Sequence, residues 1–165
     1  LKPWAVMVTM MQIEFQNAGF SDQTGIDKQV LAYAKDHNIK IGELETLEQQ
    51  LQMFDGMALL SNEMIEETFE QLTDINTYFI KLVNAWKNGD MDTLTEYYNM
   101  SFDESNYGEI SEQVMLVNRN DKWVEQLVPR LTKEKLFIAV GALHLPEQHG
   151  LIKQLKDKGF SVTRL

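Results

Sequence analysis

The run Lys-Leu-Phe-Ile-Ala-Val-Gly-Ala at 135–142 constrains the fold more than any other part of the chain. After its lysine it is continuously apolar rather than alternating. Such a run suits a strand covered on both faces, as in a parallel sheet with helices on either side. It breaks at Gly141, and His144 follows three residues on. Pro146 fits the first turn of a following helix and Gly159 its C-cap. "FSVTRL" (160–165) then reads as a closing strand, so 135–165 predicts a right-handed βαβ unit. A third expected strand, "IKIGEL" (39–44), runs into Thr46, where Gln49 completes a capping-box pattern.

The remainder reads as helix. Trp4–Asn17 has helical spacing and a glycine cap at Gly19. Thr24 can cap a helix over Ile26–His37, with Val30, Leu31 and Ala34 inward. Ile65, Leu72, Ile75, Phe79, Leu82 and Trp86 recur at helical spacings and predict one dry face. "KNGD" breaks that helix, and Asp90 can cap the next, giving an αα-hairpin. Ile110, Val114, Val117, Val124 and Val128 form a further stripe, with Pro129 kinking or ending it.

The expected fold is therefore α/β: a small, mostly parallel sheet flanked by helices, predominantly helical by residue count. A single domain is expected over 1–165. Residues 24–50 and 132–165 would bear the sheet, and about 51–131 would be a helical insertion. Three strands are few for such a sheet, which leads us to expect further strands in an N-terminal part of a longer protein. Leu1 and the lack of a basic leader segment read as a fragment or processed product rather than a signal peptide.

A formal net charge of −10 argues against a nucleic-acid partner, because phosphate binding needs clustered Lys and Arg. With no cysteine there is no disulfide framework, thiolate metal site or thiol nucleophile. No apolar run approaches the roughly 18–20 residues of a membrane-spanning helix. No Walker, Rossmann, zincin or nucleophile-elbow pattern occurs.

In open α/β sheets ligands gather at the carboxyl ends of strands, which would place His144 at such an edge. There its imidazole can bind a metal or exchange a proton; the plainer reading is a loop histidine bonded to backbone. Glu43 and Glu45 share one side of an extended segment, with Leu44 opposite. They could bind a hard cation or activate water, or simply favour the N-terminus of the next helix. Glu48 and Asp27 read as first-turn acids, His37 as a helix-end charge and His149 as a surface residue within a helix. Arg119 lies between Met115 and Trp123 at helical spacing. It either pairs with a carboxylate or anionic ligand, or rests exposed against Trp123.

Four collinear blocks resemble the TraB/PrgY/gumN family. They are "TGIDKQVLAYAKDHNIKIGELETLEQQLQMFDGM" (24–57), "AWKNGDMDTL", "NRNDKWVEQL" and "IAVGALHLPEQHGLIKQLKDKGFSVTRL". The resemblance implies a metal-dependent hydrolase, with a peptidase as the narrower expectation. Its metal (Mn, Co or Zn) would be held by His144, Glu45 and Glu43. Glu45, Arg119 and His144 would be catalytic. The substrate would be a peptide or small molecule. The alternative implied is a non-catalytic peptide- or porphyrin-binding signalling protein. Family habit implies a cell-envelope or periplasmic location, and an unpaired sheet edge would favour a homodimer. Family members carry two Gly-x-x-His motifs, whereas this chain has only Gly141–His144. It would then be a C-terminal portion with half the site, and inactive alone.

Overall fold

The computed structural model describes residues 2–73 and 75–164, with the side chains at 22 and 71–76 outside that description. The chain is a succession of helices: α1 (Pro3–Asn17), α2 (Ile26–Asp36), α3 (Leu47–Gly56), α4 (Ser61–Thr73), α5 (Ile75–Asn88), α6 (Met91–Ser101), α7 (Asn106–Glu112), α8 (Asn118–Leu131) and α9 (Leu151–Asp157). A π-helical turn, Gln113–Val117, joins α7 to α8.

The local signals set several helix ends. Thr46 and Gln49 make a reciprocal capping box at α3: the Thr46 N–H donates to Gln49 Oε1 at 2.7 Å and the Gln49 N–H to Thr46 Oγ at 3.2 Å. Asp90 caps α6 by accepting from the Thr93 N–H at 3.2 Å. Gly159, just beyond α9, holds a φ of +90°, which glycine adopts without strain. Thr24, by contrast, does not cap α2; Gly25 stands at that position and makes no side-chain cap. Pro146 does not open a helix either. It belongs to a turn that delays α9 to Leu151, so His149 is exposed but lies outside a helix.

The expected parallel sheet is absent: among the described residues there is no strand. Segments 39–44, 135–141 and 160–164 are non-helical. No backbone hydrogen bond among the described residues joins any of them to another. A strand exists only through its ladder, so apolar, β-branched sequence alone does not make one. The segment at 135–141 also departs from the two-sided burial expected of it. Leu136, Ile138 and Val140 pack against a core of Trp123, Val124, Leu127 and Leu151, while Phe137 is 82% exposed. This is the period-two alternation of an extended chain covered on one face only.

α8 is the centre of that core. Trp123, Val124 and Leu127 are buried on its inner side, and Leu151 of α9 packs against them. Pro129 lies inside α8, near its end, and the helix continues to Leu131. The N-terminal half is organised differently. α1 stacks its Phe15 on Phe79 of α5, with Phe20 packing edge-on to the same ring. Of the dry face expected around α5, Trp86 is half exposed and Ala85 is the buried residue. Leu72 and Ile75, assigned to that face from the sequence, lie outside the described side chains.

Candidate functional site

The capping box at Thr46 ends the extended segment one residue after Glu45, and Gln126 of α8 ties that segment down by donating to the Leu44 carbonyl at 3.1 Å. Glu45 is thereby turned towards α8. Arg119 grips it with two parallel bonds, Nε to Oε2 at 3.0 Å and Nη2 to Oε1 at 2.5 Å. This fork-on-carboxylate geometry is the strong form of such a pair. Arg119 Nη1 donates to the Met115 carbonyl in the π turn at 2.8 Å, and Gln50 donates to Glu45 Oε1 at 2.9 Å. The two side chains are 21% and 12% exposed. Burial pushes the Glu45 carboxyl up, but the hydrogen bonds from Arg119 and Gln50 and the Arg119 charge outweigh it, and the carboxyl lies below its ordinary range.

Arg119 also lies over Trp123, its Cζ 4.9 Å from the ring centroid. Arg119 is thus paired with a carboxylate and stacked on Trp123 as well, but half-buried rather than exposed at the surface. The same tryptophan packs against His144, with ring centroids 4.5 Å apart. His144 is buried at the end of a short 3-10 turn, Ala142–His144. Burial first, and the nearby Arg119 charge second, hold its imidazole down at about 4, against a smaller opposing pull from Glu45. It is neutral at pH 7.

The structure therefore brings Glu45, Arg119 and His144 to one neighbourhood around Trp123. It does not bring Glu43, which is exposed and forms no ion pair among the described residues. Gly141 is not a special conformation: its φ is −58°, and an added Cβ would lie 3.6 Å from His144 Cδ2, an ordinary contact. Sequence reasoning missed Asn120, a fully buried polar residue whose Oδ1 lies 2.7 Å from His144 Nδ1. The available signal was its position between Arg119 and Trp123 on α8.

Beside the Arg119–Glu45 pair lies a cleft of about 260 Å³. Gln49, Gln52, Asn118 and Gln126 bring amide groups to its wall, and Trp123 forms part of its lining. As a metal centre the arrangement does not fit on its own. Both Glu45 oxygens are taken by Arg119, and among the described residues no group of three His, Asp or Glu side chains is placed to hold an ion. Of the three residues gathered around Trp123, His144 alone keeps an unengaged ligand atom, Nε2.

These features, an Arg–Glu clamp and a buried histidine on one tryptophan within a helical scaffold, sit in the blocks that carried the resemblance. A family model described as "TraB/PrgY/gumN family" matches residues 1–164, and the chain belongs to that family. It is 24% identical over 153 residues to "Uncharacterized protein YbaP" of Escherichia coli strain K12, a match covering 93% of this chain and 56% of that protein. The Shigella flexneri protein of the same name matches equally. The chain thus spans about half the length of these relatives. No solved structure matches it significantly.

Proposed function

We propose that the chain carries one side of a hydrolytic site acting on a peptide or small molecule with a polarisable carbonyl. The observation that supports this reading is His144: a neutral imidazole packed on the same tryptophan as a clamped cation. In this reading His144 takes a proton from a nucleophile at Nε2. Arg119 spends three of its five N–H bonds on Glu45 and Met115, and offers the others to the oxygen that gains charge. In a metal-bound alternative, the same Nε2 lone pair would hold a divalent cation (Mn, Co or Zn) instead of taking the proton, with the remaining ligands from residues other than Glu45, whose oxygens Arg119 holds. The cell-envelope location is part of the same proposal, whereas the homodimer expected from an unpaired sheet edge loses its ground with the sheet. A second reading, reversible peptide binding without turnover, is favoured by the amide-lined cleft, since amides both donate to and accept from a peptide backbone.

The test is cleavage of a quenched-fluorescence peptide library with added Mn²⁺, Co²⁺ or Zn²⁺ and with chelator, comparing the wild type with His144→Ala. Turnover that disappears in His144→Ala supports hydrolysis. Turnover unchanged by the substitution rejects it. Saturable binding with no cleavage in any arm leaves the binding reading.

A further inference from the structure

We propose that Asn120 is a positioning residue that holds the His144 imidazole with its proton on Nδ1, leaving the Nε2 lone pair for the site. The inference gains its functional meaning from the proposed use of His144, but its geometry stands apart from that use.

The argument begins at Gly150. A Cβ there would fall 1.9 Å from the Pro146 carbonyl oxygen and 2.3 Å from that of Leu145, so only glycine closes this turn. Glu147, within the same turn, is held at a φ of +63°, uncommon for a residue with a side chain. The tight turn presents two backbone carbonyls, those of His144 and His149, to one buried side chain. Asn120 Nδ2 donates to the His149 oxygen at 2.8 Å and lies 3.4 Å from the His144 oxygen. A flipped amide would set its own oxygen against the His149 oxygen at that short distance, lone pair against lone pair. The amide orientation is therefore determined by backbone acceptors, not by choice.

With Nδ2 committed, Oδ1 faces His144 Nδ1 at 2.7 Å. An amide oxygen only accepts, so Nδ1 must carry the hydrogen. Among the described residues no group donates to Nε2. Metal-binding and proton-accepting histidines are commonly oriented in this way by an acceptor on the opposite nitrogen. Here the acceptor is a neutral amide, which fixes the tautomer without supplying the negative charge that would favour the imidazolium.

The test is ¹⁵N–¹H correlation of the histidine ring nitrogens at pH 7, with His144 assigned by the signal missing in His144→Ala. The expected result is a protonated Nδ1 and an unprotonated Nε2 for His144. Asn120→Ala should lose that pattern, and Asn120→Asp, which keeps an acceptor at the same place, should retain the proton on Nδ1. A proton on Nε2 in the wild type overturns the proposal, even if Asn120→Ala fails to fold. So does a folded Asn120→Ala whose His144 keeps the wild-type pattern. Neither result depends on whether the protein cleaves anything, so failure of the hydrolytic reading is told apart from failure of this one.

Discussion

The α8-centred core and the N-terminal helices α1–α3 are held by different means. Around α8, apolar side chains are sealed, and side chains reach far along the chain to bond with backbone or charge: Asn120 to His149, Gln126 to Leu44, Arg119 to Glu45. In α1, α2 and α3 no described residue is buried. Aromatic stacks such as Trp4 on Phe54, and an exposed Lys2–Asp55 ion pair, do the holding there. Exposed ion pairs contribute little. The comparison teaches that the candidate chemistry lies in a buried part of the molecule, not among the exposed N-terminal helices. Burial around Trp123 both stabilises that half and keeps His144 neutral.

The largest effect that would break this contrast is at Trp123. Trp123→Ala should cost about 3–5 kcal/mol in urea unfolding, as for large aromatic truncations in cores. Tyr33→Ala in α2, where the ring is 59% exposed and stacked on His37, should change stability by no more than about 0.5 kcal/mol. Similar losses at the two sites would show that the N-terminal helices are as tightly packed as α8.

Acid should act on the same half. His144 binds its proton at about 4 in the native state, against about 6.5 in the unfolded chain. Between those values the unfolded chain takes up a proton that the folded one refuses. Stability is therefore full above about pH 6.5 and falls as the pH drops towards 4, by up to about 3 kcal/mol. Glu45, with its carboxyl held low, adds to the loss at the acid end. Urea midpoints at pH 7 and 4.5 measure this window, and His144→Gln should flatten it. High salt should leave the window in place while removing the exposed Lys2–Asp55 contribution. A flat profile in the wild type would mean that His144 is not sealed from water.

Alternation within one segment sharpens the comparison further. Ile138→Ala should cost about 1–2 kcal/mol, below the range for fully buried sites, whereas Phe137→Ala should lie within about 0.5 kcal/mol of wild type. Equal costs would restore the two-sided coverage read from the apolar run.

The sequence made the local devices legible and the tertiary ones not. Thr46–Gln49 and Asp90 act over three residues, so their pattern is visible in the letters. A sheet ladder depends on chain far away, and the apolar run at 135–142 carries no information about whether a partner is there. Of the stripe expected on α7–α8, Val117 and Val124 are buried and Val128 packs against the core, while Ile110, before the π turn, is exposed because that turn shifts the helical repeat. Buried positions run Ser111, Leu116, Val117, Asn120, Trp123, Val124 and Leu127 rather than along the valines alone. The partners that bury Asn120 lie 24 and 29 residues on, beyond the reach of local spacing. Arg119 was more accessible to reasoning, since Met115 and Trp123 at helical spacing already marked it as a cation lying against apolar neighbours.

The smallest effect lies where the two regions meet, at Thr46. Its cap opens α3, a helix with no buried residue, while its neighbour Glu45 is clamped by Arg119. Thr46→Ala should cost about 1 kcal/mol, the usual value of a lost N-cap. That loss should be local. Amide exchange across 47–56 should accelerate, because α3 has little packing to replace its cap, while the near-ultraviolet signal of Trp123 and the ring nitrogens of His144 stay unchanged. Glu45 is held by two bonds from the α8 side and does not need the cap to keep its place. If the His144 signals moved with the exchange rates, the cap would be setting the geometry of Glu45. The boundary between the two regions would then lie on the far side of α3.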